Sequence, residues 1–366
     1  MANELVIYTC LALATIACVR LVYTYAYNVY LHPLREVPGP FWAKVITNYI
    51  SHGSGCRAQN LLRLHKAFGY YVRIGPNEVS IADPDLYRTI YSQTTSIKPD
   101  TFYQAAKMNH EHIFSLSIEN ANNYLAGPFV YGKDNYLGRG LTNDEALEEA
   151  MGLAFAGSGT TATTILYIIY QLSHSENRGI QLKLRQELQR APLRLIELRN
   201  LVYLNAIINE GMRLHPAIVG SLPRTLLESL EITLGTGLRV ILPPGTTVCM
   251  QNYVHQQDAL AYPDPDEFRP ERWLEQPSSS KASQAFTPFS TGSRNCIGQS
   301  LAKAEILLAV GCIFRQLDFQ LSGETTPGDM EMLDLFAADI SGKKLVVEVT
   351  KPGIETASGN AKVEFP

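Results

Sequence analysis

One short stretch narrows the folds open to this chain more than any other. It reads Phe289-Ser-Thr-Gly292-Ser-Arg294-Asn-Cys296-Ile-Gly298-Gln and is followed by an apolar, helix-like run from Leu301 to Phe314. A cysteine just ahead of a helix N-terminus meets unpaired N–H groups and the positive end of the helix dipole, which favour thiolate over thiol. Read alone, Cys296 would be a buried structural cysteine, the common state of a free thiol. The residues spaced around it have to decide between that reading and a ligand.

The 366 residues suffice for one large domain or two ordinary ones. With 46% apolar residues a substantial core is within reach, and a net charge of -4 gives no ground for a nucleic-acid partner. Cys10, Cys18, Cys56, Cys249, Cys296 and Cys312 match neither a disulfide framework nor a Cys-x-x-Cys zinc site, so a reducing, cytosol-facing location fits.

The N-terminus departs from globular composition. Leu5–Val19 is almost wholly apolar, Arg20 interrupts, and Leu21–Leu31 continues with Tyr23, Tyr25, Tyr27 and Tyr30. About 20 residues span a bilayer, so residues 1–31 are expected to be a transmembrane anchor with an interfacial tyrosine belt. A cleaved signal peptide competes, but no basic n-region precedes the run and no small-x-small site ends it. Glu4 lies before the segment and Arg35, Lys44 and Arg57 after it, which puts the body in the cytoplasm. Residues 32–40, His-Pro-Leu-Arg-Glu-Val-Pro-Gly-Pro, are expected to be a stiff connector, and residues 41–366 the soluble body.

In that body, Leu61–Phe68 reads as a helix, and Tyr71–Ile74 and Val79–Ile81 as strands around Gly75-Pro76-Asn77. Pro84–Tyr91 looks helical, with Asp83 as its cap. Thr142-Asn-Asp-Glu145 is a capping box opening a helix to about Ser173. Within it, Ala156-Gly157-Ser158-Gly159-Thr160-Thr161 carries two interior glycines, each costing about 1 kcal/mol. Gln181–Arg190 and Leu198–Leu214 read as helices; Val240–Leu242 and Thr247–Gln251 as strands around Pro243-Pro244-Gly245; Lys344–Val349 as a late strand.

Phe-x-x-Gly-x-Arg-x-Cys-x-Gly is the haem loop of the cytochrome P450 family, and the sequence resembles that family at every fixed position: Phe289, Gly292, Arg294, Cys296 and Gly298. The Pro-Gly-Pro connector and the Ala-Gly-x-x-Thr-Thr segment agree. The resemblance implies a mainly α fold with a small β-sheet region and haem b (iron protoporphyrin IX) as cofactor. Cys296 would be the iron's thiolate ligand, a ligand that favours O–O cleavage. Phe289 would shield the sulfur, and the N–H groups of Ile297 and Gly298 would tune it. Arg294, with Arg224 as a second candidate, would grip the haem propionates. Ala156 and Gly157 would let the long helix approach the ring and kink there. Thr160 would hold a water or dioxygen and pass protons, although alone it would be read as a threonine bonding back to its own helix. Glu210 and Arg213 share a helix face at i, i+3, and such pairs are mostly solvated. The resemblance makes them, with Arg272 of Pro270-Glu-Arg-Trp273, a buried structural network.

Two departures stand out. Gly159 occupies the position before the distal threonine where the family usually has Asp or Glu, so an inward proton relay is missing unless Ser158 or water substitutes. Between Phe114 and Thr142 the family normally has six helices; at about 11 residues per helix plus loops, roughly 100 residues are missing. The distal and roof helices are thus expected to be absent between about residues 115 and 141, with Asn120–Leu137 as a short bridge. Trp42 and Trp273 are the only tryptophans, so the family's Trp-x-x-x-Arg propionate grip is absent.

The leading expectation is a microsomal haem-thiolate monooxygenase, and Arg73-Ile-Gly-Pro-Asn-Glu78 looks like the fungal enzymes of secondary metabolism. That implies an apolar terpenoid- or polyketide-like substrate, NADPH–cytochrome P450 reductase as electron donor, and the endoplasmic reticulum membrane as location. Two alternatives stand beside it. One is a truncated, inactive paralogue or faulty exon prediction. The other is an isomerase or dehydratase using haem-thiolate without dioxygen.

Overall fold

The computed structural model describes residues 2–47, 55–92, 95–99, 137–275, 280–342, 344–351 and 361–365. The expected deletion zone and its bridge lie outside the described residues up to position 136. The described helices are α1 Ala2–Ala26, α2 Arg57–Phe68, α3 Tyr87–Ile90, α4 Asn143–Ser173, α5 Arg178–Gln189, α6 Leu195–Leu198, α7 Val202–Leu214, α8 Asn252–His255, α9 Arg272–Glu275, α10 Lys281–Ala285 and α11 Gln299–Gln316. The strands are β1 Tyr71–Gly75, β2 Glu78–Ile81, β3 Ser96–Ile97, β4 Arg224–Leu226, β5 Leu230–Thr233, β6 Arg239–Leu242, β7 Thr247–Cys249, β8 Asp318–Leu321, β9 Met332–Leu335, β10 Ala337–Ile340, β11 Leu345–Thr350 and β12 Ala361–Phe365. The architecture is mainly α with small sheets, as the sequence implied.

The core forms where α4, α5, α7 and α11 pack on one another. α11 buries Ile306, Leu307, Val310 and Phe314, the spacing of one helical stripe. α7 buries almost every residue from Tyr203 to Leu214 and has no solvent face to speak of. α4 opens on its capping box: Thr142 N–H donates to Glu145 at 2.8 Å, and Glu145 N–H to the Thr142 hydroxyl at 3.3 Å. Only its second half, from Tyr167 to Leu172, is sunk in the core.

A second body is a five-stranded sheet in the order β1-β2-β7-β4-β3, in which only β2 and β7 run parallel. Pro243-Pro244-Gly245 does not close a hairpin between its flanking strands. It carries the chain from the β5–β6 hairpin into the five-stranded sheet. The expected helix Leu198–Leu214 is two helices, broken at Arg199–Leu201. The break is stabilised from outside: Glu187 of α5 accepts from Tyr203 N–H at 2.9 Å and Leu204 N–H at 2.8 Å, capping the second helix from a distance that local sequence does not encode.

Residues 32–40 are not a free spacer. Leu34 and Val37 are buried in one cluster with Tyr71, Val79 and Leu242. Ahead of them α1 passes into a single π-turn, Tyr27–Leu31, and the stretch Tyr8–Leu31 is long and apolar enough to cross a membrane.

Two buried imidazoles set an acid limit. His65 is pushed down to about 4 and His255 to about 3, chiefly by burial. An unfolded chain binds protons on them from pH 6.5 downward while the folded chain does not. Their stabilisation is therefore complete above that pH and is lost as pH falls through 6.5 toward 3–4. The expected loss is about 1.4 kcal/mol per group per pH unit. Urea midpoints should fall steadily from pH 7.5 to pH 5, and a flat profile would remove these imidazoles from the account.

Candidate functional site

The cysteine loop is pinned at both ends. Cys296 N–H donates to Phe289 O at 2.8 Å, and Gly298, the N-cap of α11, turns its N–H toward the Cys296 sulfur. Gly292 has φ +76°, and a Cβ there would stand 2.5 Å from Tyr91 O, so no other residue lets the loop lie this close to α3. Tyr91 is itself tied down: its hydroxyl donates to Leu222 O at 2.8 Å and accepts from Met250 N–H at 3.2 Å. Tyr87, one helical turn earlier, donates to Ser290 Oγ at 3.4 Å. The role of this tyrosine pair was not foreseen. Its signal was two tyrosines at i, i+4 in Pro84–Tyr91.

The sulfur is open to solvent on one side, yet the protein around it pushes the thiol up from its ordinary range, the Gly298 N–H pulling the other way. The helix dipole alone therefore does not make Cys296 a thiolate here, contrary to the first expectation. Desolvation outweighs one N–H bond, and a metal cation at the sulfur is what would displace the proton.

Beside the loop three cations converge. Arg224 on β4 is 5% exposed, its guanidinium 4.7 Å over the Tyr91 ring. Lys98, just past β3, is brought down to about 7 by burial and then by the charges of Arg294 and Arg224. An anion among the three would reverse that shift. Lys98 went unnoticed because only the pairing Ser96↔Leu226 and Ile97↔Thr225 carries it beside Arg224.

Ala156, Gly157 and Gly159 lie on the exposed first half of α4, and Cβ atoms on either glycine would meet nothing within 4 Å. α4 runs as one helix through both glycines. Ser158 Oγ donates to Ala154 O at 2.7 Å and Thr160 Oγ1 to Ala156 O at 2.8 Å, hydroxyls bonding back to their own helix. The glycines leave open space beside this part of α4. A cofactor with a metal and two carboxylates fits these residues: a sulfur on a fixed loop and three cations beside it.

Glu210, Arg213 and Arg272 stand apart from these groups, fully buried. Arg213 donates to both carboxylate oxygens of Glu210 at 2.9 and 3.0 Å, and Arg272 Nε to one of them at 2.9 Å. Trp273 Nε1 and Arg269 N–H, each at 2.9 Å, complete the shell. Removing the Glu210 carboxylate, as in Glu210→Gln, should cost about 3–5 kcal/mol by leaving two buried guanidiniums without their counter-charge. The same substitution at the exposed pair Arg239–Glu231 should cost under about 1 kcal/mol. Equal losses in chemical denaturation would contradict the assignment.

Comparison with known proteins agrees with this geometry. The cytochrome P450 family model matches residues 41–347. Cytochrome P450 monooxygenase hkm5 of Aspergillus hancockii is 35% identical over 54% of this chain and 38% of its own length. Cytochrome P450 3A40 of Oryzias latipes is 28% identical over 69% of this chain and 51% of its own length. Cytochrome P450 monooxygenase TRI4 of Fusarium sporotrichioides is 36% identical over 52% of this chain and 37% of its own length. The chain thus spans about half, or less, of the length of the curated relatives it matches. A family model covering most of the chain, over a fold that presents a cysteine, a glycine-faced helix and clustered cations, establishes that this protein belongs to the cytochrome P450 family.

Proposed function

We propose that the protein is a membrane-anchored haem-thiolate monooxygenase acting on an apolar organic substrate. The observation that carries this reading is Cys296 on a loop clamped by Gly292 against Tyr91, with three cations at its flank. When bound, haem b supplies the activation of dioxygen from which one oxygen atom is inserted into the substrate. Cys296 would ligate the iron, and the Gly298 N–H would withdraw electron density from the sulfur. Arg294, Arg224 and Lys98 would hold the two propionates, Lys98 standing in for the absent Trp-x-x-x-Arg grip. Phe289 would keep water from the sulfur.

On the opposite side Thr160 would hold a water and hand a proton inward. Its hydroxyl hydrogen is engaged with Ala156 O, but its oxygen can still accept. Gly159 brings no carboxylate, so the proton would come through Ser158 or solvent. Electrons would come from NADPH through cytochrome P450 reductase. Tyr8–Leu31 would span the endoplasmic reticulum membrane, with Arg20 snorkelling toward the tyrosine belt and the body in the cytoplasm. Fungal relatives named as monooxygenases support oxygen insertion; a terpenoid- or polyketide-like substrate would follow from the resemblance of Arg73–Glu78 to fungal enzymes.

A second reading, a shortened chain without turnover, is favoured by one fact: the matches cover only 38% and 51% of the first two relatives. The reduced, carbon monoxide-saturated spectrum separates the two. A strongly red-shifted Soret band is expected for the native chain and its loss for Cys296→Ser; a band unchanged in that variant would disprove the ligand assignment. Lys98→Ala should retain haem about tenfold less well on dilution, the worth of one charge-assisted hydrogen bond, with the band position unchanged. Full retention would remove Lys98 from the propionate site.

A further inference from the structure

β12 is the outer strand of the sheet β12-β11-β8, and its far edge pairs with no other strand among the described residues. Its inner edge lies antiparallel to β11, with Ala361 opposite Val349, Val363 opposite Val347 and Phe365 opposite Leu345. These positions share one face of the strand. From it Val363 and Phe365 pack on the main core, yet both are only partly buried. On the other face Lys362 and Glu364 are 52% and 58% exposed.

An open edge of N–H and C=O groups is a template for another strand, and a lysine on such an edge usually wards one off. Here the lysine is followed by a glutamate, and the two flank Val363 symmetrically. If two β12 strands pair antiparallel about Val363, Lys362 of each copy stands opposite Glu364 of the other. Val363 then meets its own counterpart and Phe365 meets Ala361, so apolar and charged faces each continue across the junction. Centring the pair on Lys362 or on Glu364 instead sets like charges directly opposite, which is unfavourable. Pairs within each copy extend the match. Lys362 Nζ donates to Glu324 at 2.5 Å, and Lys344 Nζ to Glu364 at 2.7 Å. Across the junction the charges run Glu324, Lys362, Glu364, Lys344, alternating in sign.

We propose that two copies of this chain associate edge to edge through β12, in register about Val363, and form one six-stranded sheet around a two-fold axis. The junction is five residues long, so it supports a reversible association rather than an obligate dimer.

Charge reversal tests the register. Both side chains are exposed, so Lys362→Glu and Glu364→Lys should leave thermal unfolding unchanged. The full chain in detergent micelles is followed by sedimentation velocity over a range of concentrations. Expected is a monomer–dimer equilibrium for the native chain, with the dissociation constant raised about tenfold in either variant, because two unlike-charge pairs become like-charge pairs. An equimolar mixture of the two variants should regain the native constant, since each reversed side chain then faces an opposite charge. A native chain that stays monomeric, reversals that change nothing, or a mixture no tighter than either variant alone would each overturn the proposal.

Discussion

A single buried carboxylate organises the half of the molecule that carries the cysteine. Glu210 accepts from two guanidiniums, an indole and a backbone amide, at a point where no solvent reaches. Two positive charges face one negative, and the surplus is spread over the carbonyl oxygens of Gln256, Pro263, Asp264, Pro265 and Glu267. Such a cluster is tolerable in a low dielectric only if every donor finds an acceptor, so it admits one arrangement of the chain. It ties α7, a helix with no solvent face, to the irregular stretch before Trp273. From there the chain passes through α10 to the cysteine loop.

The loop is then held from the other side by the tyrosine pair of α3. The Tyr87 and Tyr91 rings meet at a tilt, 4.6 Å apart, and Tyr87 meets His255 edge-on at 5.2 Å. His255 bonds Thr287 at 2.9 Å, two residues before Phe289. The sulfur thus sits between two independent restraints, one ionic and one aromatic. Its own environment disfavours charge, while Lys98, Arg224 and Arg294 crowd positive charge close by. Both features suit a site completed by a metal at the sulfur and carboxylates at the cations, and this common direction links the geometry to the family.

Much of this was legible in residue order because the interactions are local. The Thr142–Glu145 box and the helical stripe of α11 act within a turn or two, so pattern suffices; for the pair Glu210–Arg213 and the spacing around Cys296 the family resemblance was needed as well. What escaped the reading was long-range. Glu187 caps α7 from another helix, Pro243-Pro244-Gly245 joins two sheets rather than two strands of one, and the connector docks on β1 instead of standing free.

The division has a physical basis. Residue order, through its resemblance to a known family, pointed to the mainly helical class, to Cys296 as the candidate ligand on its loop, and to the residue types that could anchor a cofactor. Only the tertiary structure decided which charges share a low-dielectric space. Burial and strand pairing brought Lys98 to Arg224 and raised the Cys296 thiol. Desolvation and Coulomb energy depend on neighbours far away in the chain, and no window of residues contains them.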